Sequence, residues 1–161
     1  MNHKLPRLEN PHLVVKKSAR QLLIFDGEKL VKTYKIALGS NSADDKQIEG
    51  DHKTPEGDFY IAAKNPKSKF HRSLGLSYPN IEDARRGLRE HLISQEECDE
   101  IALAIRENRL PPQHTALGGE IYIHGGGAER EGTRGCIALA NEDAEELFDA
   151  LPRGIRVLIE K

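Results

Sequence analysis

The chain has 161 residues, 37% hydrophobic and 31% charged, with 24 basic and 26 acidic side chains and a net charge of −2. That length suits one domain with a single core covering about 70% of the unfolded surface, and the charge balance excludes a general polyanion binder, whose affinity rests on basic surface. Two cysteines exclude a disulfide scaffold and a four-Cys zinc site, and apolar runs of only a few residues exclude a membrane-spanning helix.

The opening residues Met1-Asn2-His3-Lys4-Leu5-Pro6 contain neither an apolar stretch nor a small-residue cleavage site, so the sequence as written carries no secretory signal. Residues 1–11 are expected to form an extension and residues 12–161 a single domain. His12–Lys17 and Gln21–Asp26 are apolar-rich and separated by Ser18-Ala19-Arg20, which predicts a hairpin. Asp26-Gly27 signals a tight turn into a strand over Lys29–Leu38. There Leu30, Tyr34, Ile36 and Leu38 share one face at period two, a face that Lys32 interrupts. Gly39 to Gly57 is polar and closes on Thr54-Pro55-Glu56-Gly57. A loop of that length in a small domain is usually functional or mobile.

A strand resumes over Asp58–Ala63, and the middle of the chain reads as helical. Asn80 caps a short helix over Ile81–Leu88, with Asp83 three residues on. Ser94-Gln95-Glu96-Glu97 is a capping-box pattern, and behind it Cys98, Ile101, Ala102 and Ile105 form an apolar face until Pro111-Pro112. Strands return at Glu120–His124 and Gly135–Leu139. Asn141 is expected to cap a last helix that buries Ala144, Leu147, Phe148 and Leu151, and Ile155–Ile159 closes the chain as a strand. About seven strands and two or three helices without a βαβ rhythm predict a mainly-β, α+β domain.

The residues that carry chemistry lie in Ile121-Tyr122-Ile123-His124-Gly125-Gly126-Gly127 and Gly132-Thr133-Arg134-Gly135-Cys136-Ile137-Ala138-Leu139. If these apolar strands are neighbours, Cys136 comes beside His124. A thiol with a pKa near ~8.5 is mostly protonated at neutral pH, and a nearby imidazolium favours the thiolate. Backbone N–H groups of Gly135 and Cys136 are placed to face a tetrahedral oxyanion. The base needs an orienting partner, and the Gly125 carbonyl is the candidate. Taken alone, a Cys in a strand is most often a small buried hydrophobe. That remains the reading for Cys98, which sits on a capped helix without glycine or His context. A Cys98–Cys136 disulfide would consume the proposed nucleophile.

His124-Gly125 followed by Thr133-Arg134-Gly135-Cys136-Ile137 resembles the L,D-transpeptidase catalytic domain (YkuD, or ErfK/YbiS/YcfS/YnhG, type), whose signature is His-Gly followed by [Ser/Thr]-x-Gly-Cys. The likeness runs from about His12 to Ile159 and takes in Gly39 and Thr54-Pro55-Glu56-Gly57-Asp58-Phe59; the run at 135–143 is similar to relatives of the YafK type. The resemblance implies a β-sandwich with a helical insertion around residues 81–110 and a C-terminal helix and strand. It implies that Cys136 is the nucleophile, that His124 is the general base oriented through Gly125, that Gly135 and Cys136 line the oxyanion site, and that Thr133 and Arg134 shape the pocket. The implied partners are peptidoglycan stem peptides, a donor tetrapeptide and an amine acceptor. They join in a 3→3 cross-link through a thioester, with no metal, organic cofactor or nucleic acid, in a monomer. Peptidoglycan lies outside the cytoplasmic membrane, so the resemblance also implies a periplasmic or extracytoplasmic protein.

Many members carry Arg or Asn two residues after the Cys, where this chain has Ala138. Substrate recognition must then use another group. His71, Arg72, Ser77 and Tyr78 in the stretch 69–80 are candidates, with His71 and Tyr78 expected to line the site. His124-Gly125-Gly126-Gly127 also matches a lipase oxyanion loop, but no G-x-S-x-G elbow accompanies it. A papain-like order would put the Cys before the His. No two His stand at i, i+4, which argues against a zinc enzyme. A hydrolase with the same nucleophile and a wall-binding module with a buried Cys are the competing readings.

Overall fold

A computed structural model of the chain describes residues 4–68, 71–129 and 132–161. Eight strands form one curled sheet in the order β3-β2-β1-β8-β4-β5-β6-β7. Strands β1 (Pro11–Lys16), β2 (Gln21–Asp26) and β3 (Lys29–Lys35) make the expected antiparallel meander. β4 (Gly57–Ser68) is the corner strand: its first half pairs with β8 (Arg156–Glu160) and its second half with β5 (His71–Leu76). β6 (Tyr122–His124) follows β5, and β7 (Ile137–Ala138) lies parallel to β6. Beyond β3 the chain reaches the far edge, where Ala37 and Ala138 exchange two backbone hydrogen bonds of 2.9 Å. The curl therefore closes on itself, satisfying both edges at that point.

The alternation in β3 departs from the sequence reading at Leu30. A register shift against Ile24/Phe25 pairs Leu30 with Phe25 and Lys32 with Ile24. A one-residue bulge changes which face each following side chain takes. Leu30 is consequently exposed, while Tyr34, Ile36 and Leu38 are buried. Lys32 is held by an ion pair of 2.6 Å to Glu146.

One apolar core fills the space inside the curl, from Leu13, Val15, Leu22 and Ile24 to Leu74, Ile123, Ile137 and Leu139. Helix α3 (Asn141–Ala150) contributes Ala144 and Leu147 to it, and Leu151 follows from just beyond the helix. Residues before β1 also pack on this core through Leu5 and Leu8. Asn141 is the first helical residue of α3, with Ala140 at the cap position, so the expected Asn141 cap is not formed.

The helical insertion consists of α1 (Ile81–Arg89) and α2 (Gln95–Arg106), each opened by a reciprocal capping box, Asn80/Asp83 and Ser94/Glu97. It has a core of its own from Ala84, Ile93, Cys98, Ile101 and Leu117. The buried stripe of α2 is Cys98, Ile101 and Ala104 rather than the predicted Ala102 position. Cys98 and Cys136 are both free thiols.

The polar loop from Gly39 to Gly57 is tied down by two buried lysines. Lys17 Nζ donates to the carbonyls of Thr54 (2.6 Å) and Asp44 (2.9 Å) and pairs with Glu56 (3.1 Å). Lys46 Nζ pairs with Asp51 at 2.9 Å, and the Asp51 carboxylate also accepts the amides of Gln47, Ile48 and Lys53. Those bonds hold the Asp51 carboxyl below the usual range even though burial pushes it up. Buried acceptors stripped of their donor cost about 1–3 kcal/mol each. Lys17→Met is therefore expected to lower stability by about 3 kcal/mol in urea unfolding followed by circular dichroism.

Candidate active site

The parallel register Ile123↔Ile137 and His124↔Ala138 places Cys136 opposite Tyr122. Side chains alternate along a strand. With Ile123 and Ile137 on the core face, Tyr122, His124, Cys136 and Ala138 share the other one. The sulfur is seated by two backbone contacts: the Tyr122 amide donates to Sγ at 3.4 Å, and Sγ donates to the Glu120 carbonyl at 3.3 Å. Cys136 is half-buried, not sealed.

His124 is 7% exposed, and its Nδ1 hydrogen-bonds the Gly125 carbonyl. A carbonyl can only accept, so Nδ1 carries the proton and Nε2 is left as the basic nitrogen. The next peptide is fixed as well: the Gly126 amide donates to Asn141 Oδ1 at 2.8 Å. This is where the side chain expected to cap α3 is used.

The loop that leads into Cys136 is braced from both sides. Thr133 Oγ1 donates to the Cys136 carbonyl at 2.7 Å and accepts the Gly135 amide at 3.2 Å. Thr133, read as a pocket-shaping residue, thus spends its hydroxyl inside the loop. The same bond occupies the Gly135 amide, one of the two expected to face an oxyanion. The Cys136 amide has no acceptor among the described residues. Gly135 lies at φ +128°, and a Cβ there would stand 2.7 Å from the Lys53 carbonyl oxygen. Its own carbonyl accepts from Thr54 Oγ1 at 2.8 Å. Gly39 is equally confined, because a Cβ would meet the His52 carbonyl at 2.2 Å and the Gly135 Cα at 3.1 Å. Arg134 is exposed and forms no ion pair among the described residues.

The other sequence candidates lie elsewhere. Tyr78 is fully buried and donates to the Leu117 carbonyl at 2.6 Å, so it anchors the insertion and does not line an accessible site. Ser77 is buried and accepts the Tyr60 amide. His71 Nε2 lies 2.7 Å from the Glu145 carboxylate, and Arg72 pairs with Asp149 at 2.8 Å, both on α3. Lys69 and Phe70, which open that stretch, lie outside the described residues. Thr54, Asn141, Tyr122 and Glu120, unremarked as site residues in the sequence, are the ones that touch the loop before Cys136, the turn after His124 or the sulfur itself. Thr54-Pro55-Glu56-Gly57 was legible as a turn, and nothing in its spacing points to residue 135.

The electrostatics differ from the sequence expectation of a thiolate favoured by an imidazolium. Burial pushes the Cys136 thiol up to about 11. The Tyr122 amide and Lys46 oppose that rise, and Glu120 adds to it. Burial also pushes the His124 imidazole down, against the Gly125 hydrogen bond. Both groups are therefore neutral near pH 7, because a site this dry disfavours either charge. Among the described residues, no group of three or more His, Cys, Asp or Glu side chains is arranged to hold a metal ion.

Residues 10–159 match the YkuD family, the L,D-transpeptidase catalytic domain, and the chain belongs to that family. The YafK proteins of Escherichia coli K12 and O157:H7 are each 31% identical to it over 84 residues, which is 50% of this chain and 34% of theirs. The solved structure of the helical cell shape determining protein Pgp2 from Campylobacter jejuni is similar at a TM-score of 0.63 and 24% identity, over 98% of this chain and 50% of that one. An L,D-transpeptidase from Mycobacterium smegmatis gives a TM-score of 0.57 at 12% identity, over 94% of this chain and 59% of that one. At these identities the structural likeness shows the fold. The chain spans half of Pgp2, and its match takes in about a third of the YafK proteins.

Two measurements test this geometry. A neutral thiol reacts through its small thiolate fraction, which grows tenfold per pH unit below its pKa. Iodoacetamide labelling of Cys136 should then accelerate about 100-fold between pH 7 and pH 9, whereas a plateau from pH 6 upward would mean an ion pair. Thr54→Val removes the partner of the Gly135 carbonyl and should cost about 2 kcal/mol in urea unfolding, with Thr54→Ser retaining most of the stability.

Proposed function

We propose that the domain is a cysteine-dependent acyltransferase of peptidoglycan stem peptides, an L,D-transpeptidase. The observation that carries this reading is the placement of Cys136 and His124 on one face of adjacent strands, with the imidazole fixed by Gly125, in a chain of the YkuD family. Because both groups rest neutral, the reaction begins by general-base catalysis. His124 Nε2 takes the Cys136 proton as Sγ bonds to the carbonyl carbon of the third-position diamino acid. The developing oxyanion is met by the Cys136 amide, and the φ +128° backbone of Gly135 turns the loop to present it. His124 then returns the proton to the departing D-Ala amine, leaving a thioester. An amine from a second stem attacks that thioester, the amide bond forms, and the thiol is restored; the product is a 3→3 cross-link.

Water as the acceptor turns the same acyl-enzyme into a carboxypeptidase, so the product decides between the two. The expected product from disaccharide tetrapeptide is a dimer, and tripeptide alone would identify a hydrolase. The site acts on material outside the cytoplasmic membrane, and a role in wall biogenesis and cell shape follows from the substrate. Intact-mass analysis after carbapenem treatment should show one adduct that is absent from Cys136→Ala. His124→Ala should keep its unfolding midpoint and lose acylation. A wild-type protein that takes up no carbapenem at any dose would identify a binding module instead.

A further inference from the structure

Where β6 runs into the glycine-rich loop, the chain is fixed on both sides of a single peptide. The His124 carbonyl accepts from the Leu139 amide at 2.8 Å, and the Gly127 amide donates to the Leu139 carbonyl at 2.9 Å. The Gly125–Gly126 peptide between them has no backbone partner among the described residues. Side chains meet it instead. Its carbonyl accepts from His124 Nδ1, and its N–H donates to Asn141 Oδ1 at 2.8 Å. The amides of Gly126 and Gly127 are thus both occupied, which leaves them no part in holding an oxyanion.

Sterics do not keep that peptide in its orientation. A glycine stands at each end, and Gly126 lies at φ +111° with open space where a Cβ would be. Turning a peptide plane over changes the ψ before it and the φ after it, and glycine leaves both angles permissive. The turn would exchange the two polar groups, because N–H and C=O point in opposite directions across a trans peptide. An N–H would then face His124 Nδ1. A ring nitrogen meets an N–H only as an acceptor, so the imidazole proton would move to Nε2. Nε2 is the atom that takes the Cys136 proton in the reaction proposed above. The Asn141 side chain opposes this turn, and it does not serve its own helix. Asn141 is the first residue of α3, Ala140 is the cap, and no side-chain cap bond forms.

We infer that Asn141 is a positioning residue that sets the tautomer of His124, by holding the Gly125–Gly126 peptide with its carbonyl toward Nδ1. It acts through that peptide and not on the reacting atoms. The effect on rate rests on the reading of His124 as the base; the effect on the tautomer does not.

The test reads the two ring nitrogens of His124 by proton–nitrogen NMR at about pH 8, where an ordinary imidazole is neutral. Among the seven histidines, His124 is identified by the signal lost in His124→Ala. Wild-type protein should carry the proton on Nδ1. Asn141→Ala should bring in a population protonated at Nε2, keep the unfolding midpoint, and slow carbapenem acylation of Cys136 about tenfold. Asn141→Asp keeps an acceptor oxygen and should restore the tautomer and most of the rate. The inference is overturned by an Nε2 proton in the wild type, by a wild-type tautomer in Asn141→Ala whatever its rate, or by an Asn141→Asp protein that behaves as Asn141→Ala. A tautomer that switches while acylation is unchanged, or in a protein that takes up no carbapenem, upholds the inference and counts instead against His124 as the base.

Discussion

Thr54 joins two segments of chain that are 81 residues apart, and the loop before Cys136 keeps its shape through that bond. The hydroxyl donates to the Gly135 carbonyl and accepts from the Ser42 hydroxyl and the Gly39 amide, which uses its one proton and both lone pairs. The carbonyl of the same residue is held by the buried Lys17 ammonium. A continuous set of buried polar contacts therefore runs from the end of β1, through the long loop, to the residue before Cys136. Such a set is stable only when every member is satisfied, and this gives the loop one conformation and not several. The close approaches at Gly39 and Gly135 follow from the same constraint, because backbone carbonyls of residues 52 and 53 occupy the space that side chains would need.

Rigidity of this kind has an electrostatic consequence. Packing the loop against the sheet removes much of the water around the sulfur and the imidazole, and that partial desolvation holds both in their neutral forms. A neutral pair stores no charge separation at rest, so in the proposed reaction the charge that develops would be stabilised by groups already in position. Nδ1 is satisfied by Gly125, and the peptide beyond it is pinned by Asn141. In the proposed role the imidazole would accept a proton at Nε2 without rotating, with Nδ1 still bonded to the Gly125 carbonyl. Pre-positioned dipoles of this sort cost no reorganisation at the moment of reaction.

The elements of the fold were legible wherever local chemistry decides them. Capping boxes at Asn80 and Ser94, the tight turn after Asp26 and the two apolar strands around the glycine-rich loop are set by residues a few positions apart, and they form as read. The errors arose where a distant contact outbid a local one. Asn141 has the composition of a cap but bonds Gly126 instead. Leu30 matches the alternation but is turned outward by a bulge that only pairing with β2 defines. Tyr78 stands in a motif-like stretch, yet its hydroxyl finds the Leu117 carbonyl and the ring goes into the interior. Thr54 and Glu120 were invisible as site residues for the same reason, since their partners belong to other segments.

The helical insertion is joined to the rest of the domain at several points. It has a separate core, and it is bolted to the sheet by Tyr78 through Leu117, by Tyr60 through the Arg109 carbonyl at 2.7 Å, and by Gln113 through the Tyr78 carbonyl at 2.8 Å. Gln113 also takes the Glu120 amide, so the exit from the insertion sets the backbone that receives the sulfur's hydrogen bond. An element fixed at so many points acts as a brace. Its position upstream of β6 means that changes in the insertion reach the backbone at residue 120, while His124 ends β6 and Cys136 immediately precedes β7, both beside the main core. The backbone at Glu120 and the residues His124 and Cys136 are therefore supported from two different cores.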